Sequence, residues 1–316
     1  MPSAAGSPGI SIGAVLANRV LPNRVPLTRV RVPAKVNLHL GVGELRRDGF
    51  HELVTVFHAV GLHDVVTVQP AASTSVWVSG PAAAGVPTGP DNLVWRAAAL
   101  LAERCDPGSA VRIEIDKHIP VAGGMAGGSA DAAAALLGCA RLWGSDGAEL
   151  PRLAPQLGSD VAFGLVGGTA LGTGRGELLE PLPTNGELHW VLVPAGFGIS
   201  AGDAYRELDR LRAEEAVPPP ALDVAGLRAA LVSGRAVEVA AALHNDLEPA
   251  CLSLAPALRD VLAAGREAGA LAGIVSGSGP TCAFLCADEA AAHQVAAALP
   301  RAMVARGPVA GATVLD

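Results

Sequence analysis

Between Val30 and Val42 every even-numbered position is apolar, Ala34 being the only small one, while odd positions carry Arg31, Lys35, Asn37 and His39. Alternation with period two predicts a strand with one buried face. It sets Lys35 and Asn37 together on the other face, about 7 Å apart along the chain. Strand text recurs over 53–60, 64–69 and 75–78, which reads as an antiparallel meander. A Pro/Gly loop over 79–90 follows, and Asp91 is placed to cap a helix over 92–104. Residues 111–116 alternate again and lead into a run rich in glycine. Behind that run, Ala133, Leu136, Leu137 and Ala140 make the i, i+3, i+4, i+7 stripe of a core-facing helix. A short helix is expected near 147–157, then Ser159 as an N-cap with Asp160 at the first helical position, then a hairpin over 167–177.

A second unit begins near Asn185. Strand text at 190–194 precedes a charged amphipathic helix over 205–215. The prolines Pro218, Pro219 and Pro220 separate it from helices near 223–232, 235–244 and 256–268. A strand at 272–276, a glycine turn, a strand at 281–286, a helix near 288–299 and a strand at 312–315 complete the chain. This order fits an α+β fold. It divides the chain into a loose tail over 1–27, a first domain over 28–184 and a second over 185–316.

Composition narrows the class. Of 316 residues, half are hydrophobic but only 3% aromatic, and net charge is −7. That is a folded chain rather than a disordered one. Basic clusters interleaved with aromatics are missing, so no nucleic-acid surface is expected. No apolar run reaches the ~18 residues of a membrane span. The five cysteines include no CxxC pair and are read as free thiols, which suits the cytoplasm. No obligate protein partner is evident.

The candidate chemistry centres on Pro120, Val121, Ala122, Gly123, Gly124, Met125, Ala126, Gly127, Gly128, Ser129 and Ala130. Four glycines in two pairs let an anion approach backbone N–H groups closely. The helix behind, with Ser129 read as its cap, adds unpaired N–H groups and a positive dipole end. With 38 glycines in the chain, such a run alone is as consistent with a plain turn before a buried helix. The Walker, dinucleotide-binding and protein-kinase signatures are missing.

Several pieces in order resemble the GHMP kinases: Pro33-Ala34-Lys35-Val36-Asn37-Leu38, Asp48-Gly49-Phe50-His51, Asp91-Asn92-Leu93-Val94, the glycine run, Gly158-Ser159-Asp160-Val161, His244-Asn245-Asp246-Leu247-Glu248 and Ser276-Gly277-Ser278-Gly279-Pro280-Thr281. Each is weak alone, and the ordered set spans roughly 28–316. Within the superfamily the likeness is to the branch acting on a cytidine-diphosphate-linked methylerythritol in the non-mevalonate isoprenoid route. The resemblance implies a ribosomal S5 domain 2-like N-terminal domain that binds ATP and a ferredoxin-like C-terminal domain. It implies ATP as co-substrate with Mg²⁺, the metal near Ser129. It implies Lys35 and Asp160 as the catalytic pair, the glycine run with Asn92 and Lys117 around ATP, and Asn37, Phe50, His51, Ser200, Gly277 and Ser278 around the substrate.

A carboxylate at Asp160 can accept the proton of an otherwise weakly nucleophilic alcohol. Lys35 beside it can offset charge forming on the alcohol and the phosphoryl group. Ala130, Ala162 and Ala201 depart from the family pattern, which usually has Ser, Pro and Thr there. Asp131, close to the expected phosphates, looks repulsive in isolation; it either points away or helps hold the metal. A mevalonate- or homoserine-type kinase, or a non-catalytic nucleotide binder, are the competing readings.

Overall fold

The computed structural model describes residues 26–105 and 108–315. Most of the expected tail over 1–27 lies outside the described residues. Two long strands, β1 (Thr28–Leu45) and β2 (His51–Ala71), pair antiparallel along nearly their whole length. β2 runs unbroken where two strands were expected. The ladder slips between Pro33 and Ala34, opposite Val60 and His63, so Gly61 and Leu62 are taken up in a bulge.

The first half continues with β3 (Ser75–Ser79), α1 (Leu93–Cys105), β4 (Ala110–Asp116), α2 (Gly127–Leu142), α3 (Leu150–Leu157), α4 (Val161–Val166), β5 (Thr169–Thr173) and β6 (Leu178–Pro181). The second half contains β7 (Leu188–Val193), α5 (Ala201–Ala213), α6 (Ala225–Ser233), α7 (Ala236–Ala241), β8 (His244–Asn245), α8 (Glu248–Leu254), α9 (Leu258–Glu267), β9 (Ala272–Val275), β10 (Cys282–Cys286), α10 (Glu289–Ala298), β11 (Met303–Gly307) and β12 (Thr313–Leu315). The fold is α+β, as expected. β8, α8 and β11 carry too little periodicity over so few residues to be read from the chain.

One sheet runs β12-β1-β2-β4-β3, with the β5–β6 hairpin on the first half of β2 and β8 beside β1. β3 pairs parallel with β4 rather than with β2, so the meander expected over 53–78 does not form. The other sheet is antiparallel, in the order β11-β7-β10-β9. Two large cores result. The first joins the long sheet to α1, α2, α3 and α4, with Leu227, Leu231 and Val239 from α6 and α7. The second surrounds Phe284, Leu208 and Leu262 and includes Leu40 and Val42 from the end of β1. β1 therefore passes from one core to the other, and from Val32 to Gly43 every residue is buried. Its polar odd face is enclosed rather than solvated, which brings Lys35 and Asn37 inside.

Candidate active site

The glycine run is a loop from Pro120 to Ala126, with α2 beginning at Gly127. Ala126 occupies the N-cap position at φ 57°, with no side-chain cap, so Ser129 lies in the first turn and does not cap the helix. Ala122, at φ 52°, is a second non-glycine residue in the left-handed region. Such residues cost roughly 1–3 kcal/mol and persist only where the surroundings enforce them. Between these two residues, Gly124 packs against the 276–279 turn. A Cβ on Gly124 would meet the Ser276 carbonyl oxygen at 2.1 Å. The Gly124 carbonyl accepts hydrogen bonds from Ser276 Oγ (3.2 Å) and from Lys35 Nζ (2.9 Å), while the Thr281 N–H donates to Gly123 (3.3 Å). Loop and turn, 152 residues apart in sequence at the Gly124–Ser276 contact, are thereby one surface.

Lys35 is the node of that surface. Its ammonium donates to Asn37 Oδ1 at 2.6 Å and lies 3.7 Å from Asp160 Oδ2. Burial lowers its pKa, against the attraction of Asp160, which raises it. Asn37 is oriented in turn: its Nδ2 donates to Thr55 Oγ1 (2.8 Å), which donates to the His39 carbonyl (2.8 Å). Both ends of the Asn37 amide are thus engaged within the protein. Asp160 is itself the N-cap residue of α4, one position earlier than expected, and its side chain is 30% exposed. The backbone of a helix start gives that carboxylate a favourable dipole environment.

A cavity of about 530 Å³ opens beside this pair. Lys35, Asn37, Phe50, His51, Asp160, Gly277 and Ser278 all line it. Phe50 is half exposed, with the Arg175 guanidinium 4.9 Å from its ring centre, so it is not a core aromatic. The His51 ring is stacked on Tyr205 with centroids 5.3 Å apart and planes 12° apart. Its Nδ1 donates to the Gly43 carbonyl (3.0 Å) and its Nε2 faces Asp209 Oδ2 (3.3 Å). Burial, and then the negative charge of Asp160, push the Tyr205 phenol pKa upward. Ser200 is the N-cap residue of α5 and is exposed, while the neighbouring Ala201 and Gly202 line the cavity. Tyr205, Arg175 and Asp209 were not singled out from the sequence. The usable signal was that Tyr205 is the chain's only tyrosine.

Other expected residues sit differently. Asn92, not Asp91, caps α1: its Oδ1 accepts the Val94 N–H (2.9 Å) and its Nδ2 donates to the Pro87 carbonyl (2.6 Å). Met125 is fully buried in the first core. Lys117 is 1% exposed, and its ammonium is held between Asp64 and Asp131, so it presents no charge to a groove. Asp131 points inward to Lys117 rather than toward the loop's outer side. Ala130 is buried at the α2–α4 crossing, where a Cβ on Gly164 would come within 3.5 Å of its Cα. The departure at Ala130 therefore falls at a packed crossing.

Among the described residues no group of three or more His, Cys, Asp or Glu side chains converges as a metal cage. Nor is any helix long and apolar enough to cross a membrane. Cys139, Cys251, Cys282 and Cys286 are buried free thiols, and Cys105 is an exposed one.

A glycine loop leading into a helix, locked by a late glycine turn against a buried lysine, defines a class. Residues 92–170 match the family described as GHMP kinases N terminal domain, and residues 227–305 match GHMP kinases C terminal. A solved 4-(cytidine 5'-diphospho)-2C-methyl-D-erythritol kinase is 34% identical with a TM-score of 0.72, covering 88% of this chain and 98% of that one. A homoserine kinase from Cytophaga hutchinsonii, 20% identical with a TM-score of 0.69 over 92% of this chain and 97% of its own, shares the fold. The 4-diphosphocytidyl-2-C-methyl-D-erythritol kinase of Nocardia farcinica is 56% identical over 91% of this chain and 96% of its own length. That of Thermobifida fusca is 53% identical over 90% and 97%. The chain belongs to the 4-diphosphocytidyl-2-C-methyl-D-erythritol kinase family of GHMP kinases.

Proposed function

We propose that this enzyme transfers the γ-phosphoryl group of ATP to the 2-hydroxyl of 4-diphosphocytidyl-2-C-methyl-D-erythritol, a step of the non-mevalonate isoprenoid pathway, in the cytoplasm. The observation that carries the reading is the Lys35–Asp160 pair at the cavity wall, 3.7 Å apart, with Lys35 also bonded to the glycine loop at Gly124. The pair and the loop make two sides of one site.

In this mechanism Asp160 accepts the proton of the substrate alcohol as its oxygen attacks phosphorus. General-base help of this kind is worth typically ~10²–10⁴-fold. Lys35 stays beside the oxygen that loses its proton and offsets negative charge spreading onto the transferred group. Asn37 and Thr55 hold Lys35 in that place. The backbone N–H groups of residues 122–129 receive the ATP phosphates at the start of α2. Asn92 borders the adenine, and Lys117 supports the loop from beneath it.

The cavity side holds the cytidine diphosphate end. Phe50 offers an exposed ring for stacking, His51 a polar edge, and Gly277 and Ser278 close over the diphosphate, with Ser200 at its margin. Mg²⁺ fits the donors present: the half-buried Ser129 hydroxyl at the start of α2 is an open oxygen, and Mg²⁺ needs only one or two protein ligands beside nucleotide phosphates. When bound, the ion neutralises charge on the β- and γ-phosphates. Residues 28–184 form the ATP-binding domain and 185–316 the second domain, with β12 returning to pair with β1.

A substrate panel tests the reading. Coupled ADP release should require the cytidyl substrate. Turnover of mevalonate or homoserine without turnover of the cytidyl substrate would overturn it.

A further inference from the structure

Arg175 lines the cavity and takes no part in the mechanism above. It stands in the turn that joins β5 to β6, between two glycines in the left-handed region, Gly174 at φ 71° and Gly176 at φ 98°. The turn is fixed to the rest of the wall. The Gly174 carbonyl accepts the Leu53 N–H (2.7 Å), and the Gly174 N–H donates to Glu52 Oε1 (3.1 Å). Glu52 Oε2 in turn accepts from the Arg46 guanidinium (3.0 Å), in the loop that carries Phe50. The two loops are thus held as one side of the cavity.

Two contacts aim the Arg175 guanidinium. Its centre lies 4.9 Å from the Phe50 ring centre. Its Nε lies 3.5 Å from Glu177 Oε1, on a carboxylate already fixed by the Arg175 N–H (2.6 Å). A guanidinium stacked on a ring keeps its η nitrogens free to donate at the edge. Among the described residues those nitrogens make no hydrogen bond. The other lining cations are engaged: Lys35 donates to Asn37 and to the Gly124 carbonyl, and Arg206 pairs with Asp203.

The place of Arg175 says what its free donors meet. Phe50 marks the base end of the cavity, and the Lys35–Asp160 pair marks the reacting end. Gly176, next to Arg175, would put a Cβ 3.4 Å from Phe57 Cζ, and the Lys35 ammonium lies 5.7 Å from the centre of that same ring. The turn therefore reaches both ends, with Arg175 between them. In a cytidine-diphosphate-linked alcohol, ribose and diphosphate are what join the base to the reacting hydroxyl. Two charged phosphates in a cavity that also carries Asp160 and Asp209 need a cation, and a guanidinium edge matches phosphate oxygens in pairs. Gly277 and Ser278 bring no charge of their own.

We propose that Arg175 is a specificity-determining residue that binds the substrate diphosphate through its η nitrogens while its plane backs the Phe50 ring. The inference rests on the reading of the cavity as the cytidine diphosphate site.

Arg175→Gln keeps a planar group beside Phe50 and removes the charge. The bonds that anchor the turn do not use this side chain, so the variant should fold. The probes are cytidine 5'-diphosphate and cytidine, each as an inhibitor competing with the cytidyl substrate in coupled ADP detection. The variant should raise Ki for the diphosphate ~10-fold or more, and KM for the cytidyl substrate in parallel, while Ki for cytidine and KM for ATP stay within ~2-fold. Equal weakening of cytidine and the diphosphate would overturn the inference, because Arg175 would then act through Phe50 alone. Unchanged inhibition by the diphosphate would overturn it as well. Failure of the parent both to use the cytidyl substrate and to be inhibited by the diphosphate would instead overturn the reading of the cavity, and this inference with it.

Discussion

Lys35→Met removes the ammonium and keeps the length of the side chain. At 3.7 Å and an effective dielectric constant of ~20, two unit charges attract by about 4 kcal/mol, of which desolvation cancels a large share. The remaining interaction is felt most where charge develops on the alcohol and phosphoryl oxygens. Loss of one preorganised donor to such charge costs ~10²–10³-fold in kcat, and the accompanying loss of support for Asp160 takes the expected fall to ~10³-fold. KM for either substrate should move less than about threefold. The variant should still fold. The Gly124 carbonyl retains Ser276 Oγ, so only Asn37 Oδ1 loses its buried donor, a cost of ~1–3 kcal/mol that relief of ammonium desolvation offsets. The assay is steady-state kinetics by coupled ADP detection, with unfolding followed in denaturant. A large KM increase at unchanged kcat would refute the reasoning, because Lys35 would then act in uniform binding. pH adds a second check. Because burial lowers the Lys35 pKa from its ordinary 10.5, the charge that supports turnover is present below the lowered value and lost as pH rises through it. The alkaline limb of kcat should thus begin below 10.5. Between the two values the unfolded chain holds a proton that the folded chain lacks, so this group's contribution to stability rises with pH there.

Asp160→Asn should cut kcat by ~10³-fold or more while leaving nucleotide affinity within a few-fold, and near-normal turnover would remove Asp160 from proton transfer. Phe50→Ala should raise KM for the cytidyl substrate by roughly 10-fold through lost stacking at the cavity mouth, with KM for ATP unmoved; equal effects on both would place Phe50 in general folding of the site. Gly124→Ala combines a φ of 74° with the 2.1 Å approach to the Ser276 carbonyl, and should cost ~2–4 kcal/mol in a denaturant titration. A change below ~0.5 kcal/mol would show that loop and turn are not held together there.

Periodicity in the chain was enough for the long elements. Alternation from Val30 to Val42 marked β1, the apolar stripe marked α2, and glycine marked both sharp turns, because each signal depends only on neighbours within one or two turns of chain. The ordered short motifs carried the family, and with it the pairing of Lys35 with Asp160. What the sequence left undecided depends on partners far along the chain. A period-two pattern says that one face of a strand is apolar. It does not say that a second core closes over the other face, and that closure is why Lys35 is buried with a lowered pKa. The resemblance set Lys117 beside ATP, since Asp64, 53 residues earlier, gives no local hint that it meets it. Asp131 looked misplaced beside phosphates for the same reason. The Asp64–Lys117–Asp131 triad, the Gly124 clasp and the cavity walls are all long-range contacts, and burial of charge, which sets their chemistry, exists only once the chain has folded around them.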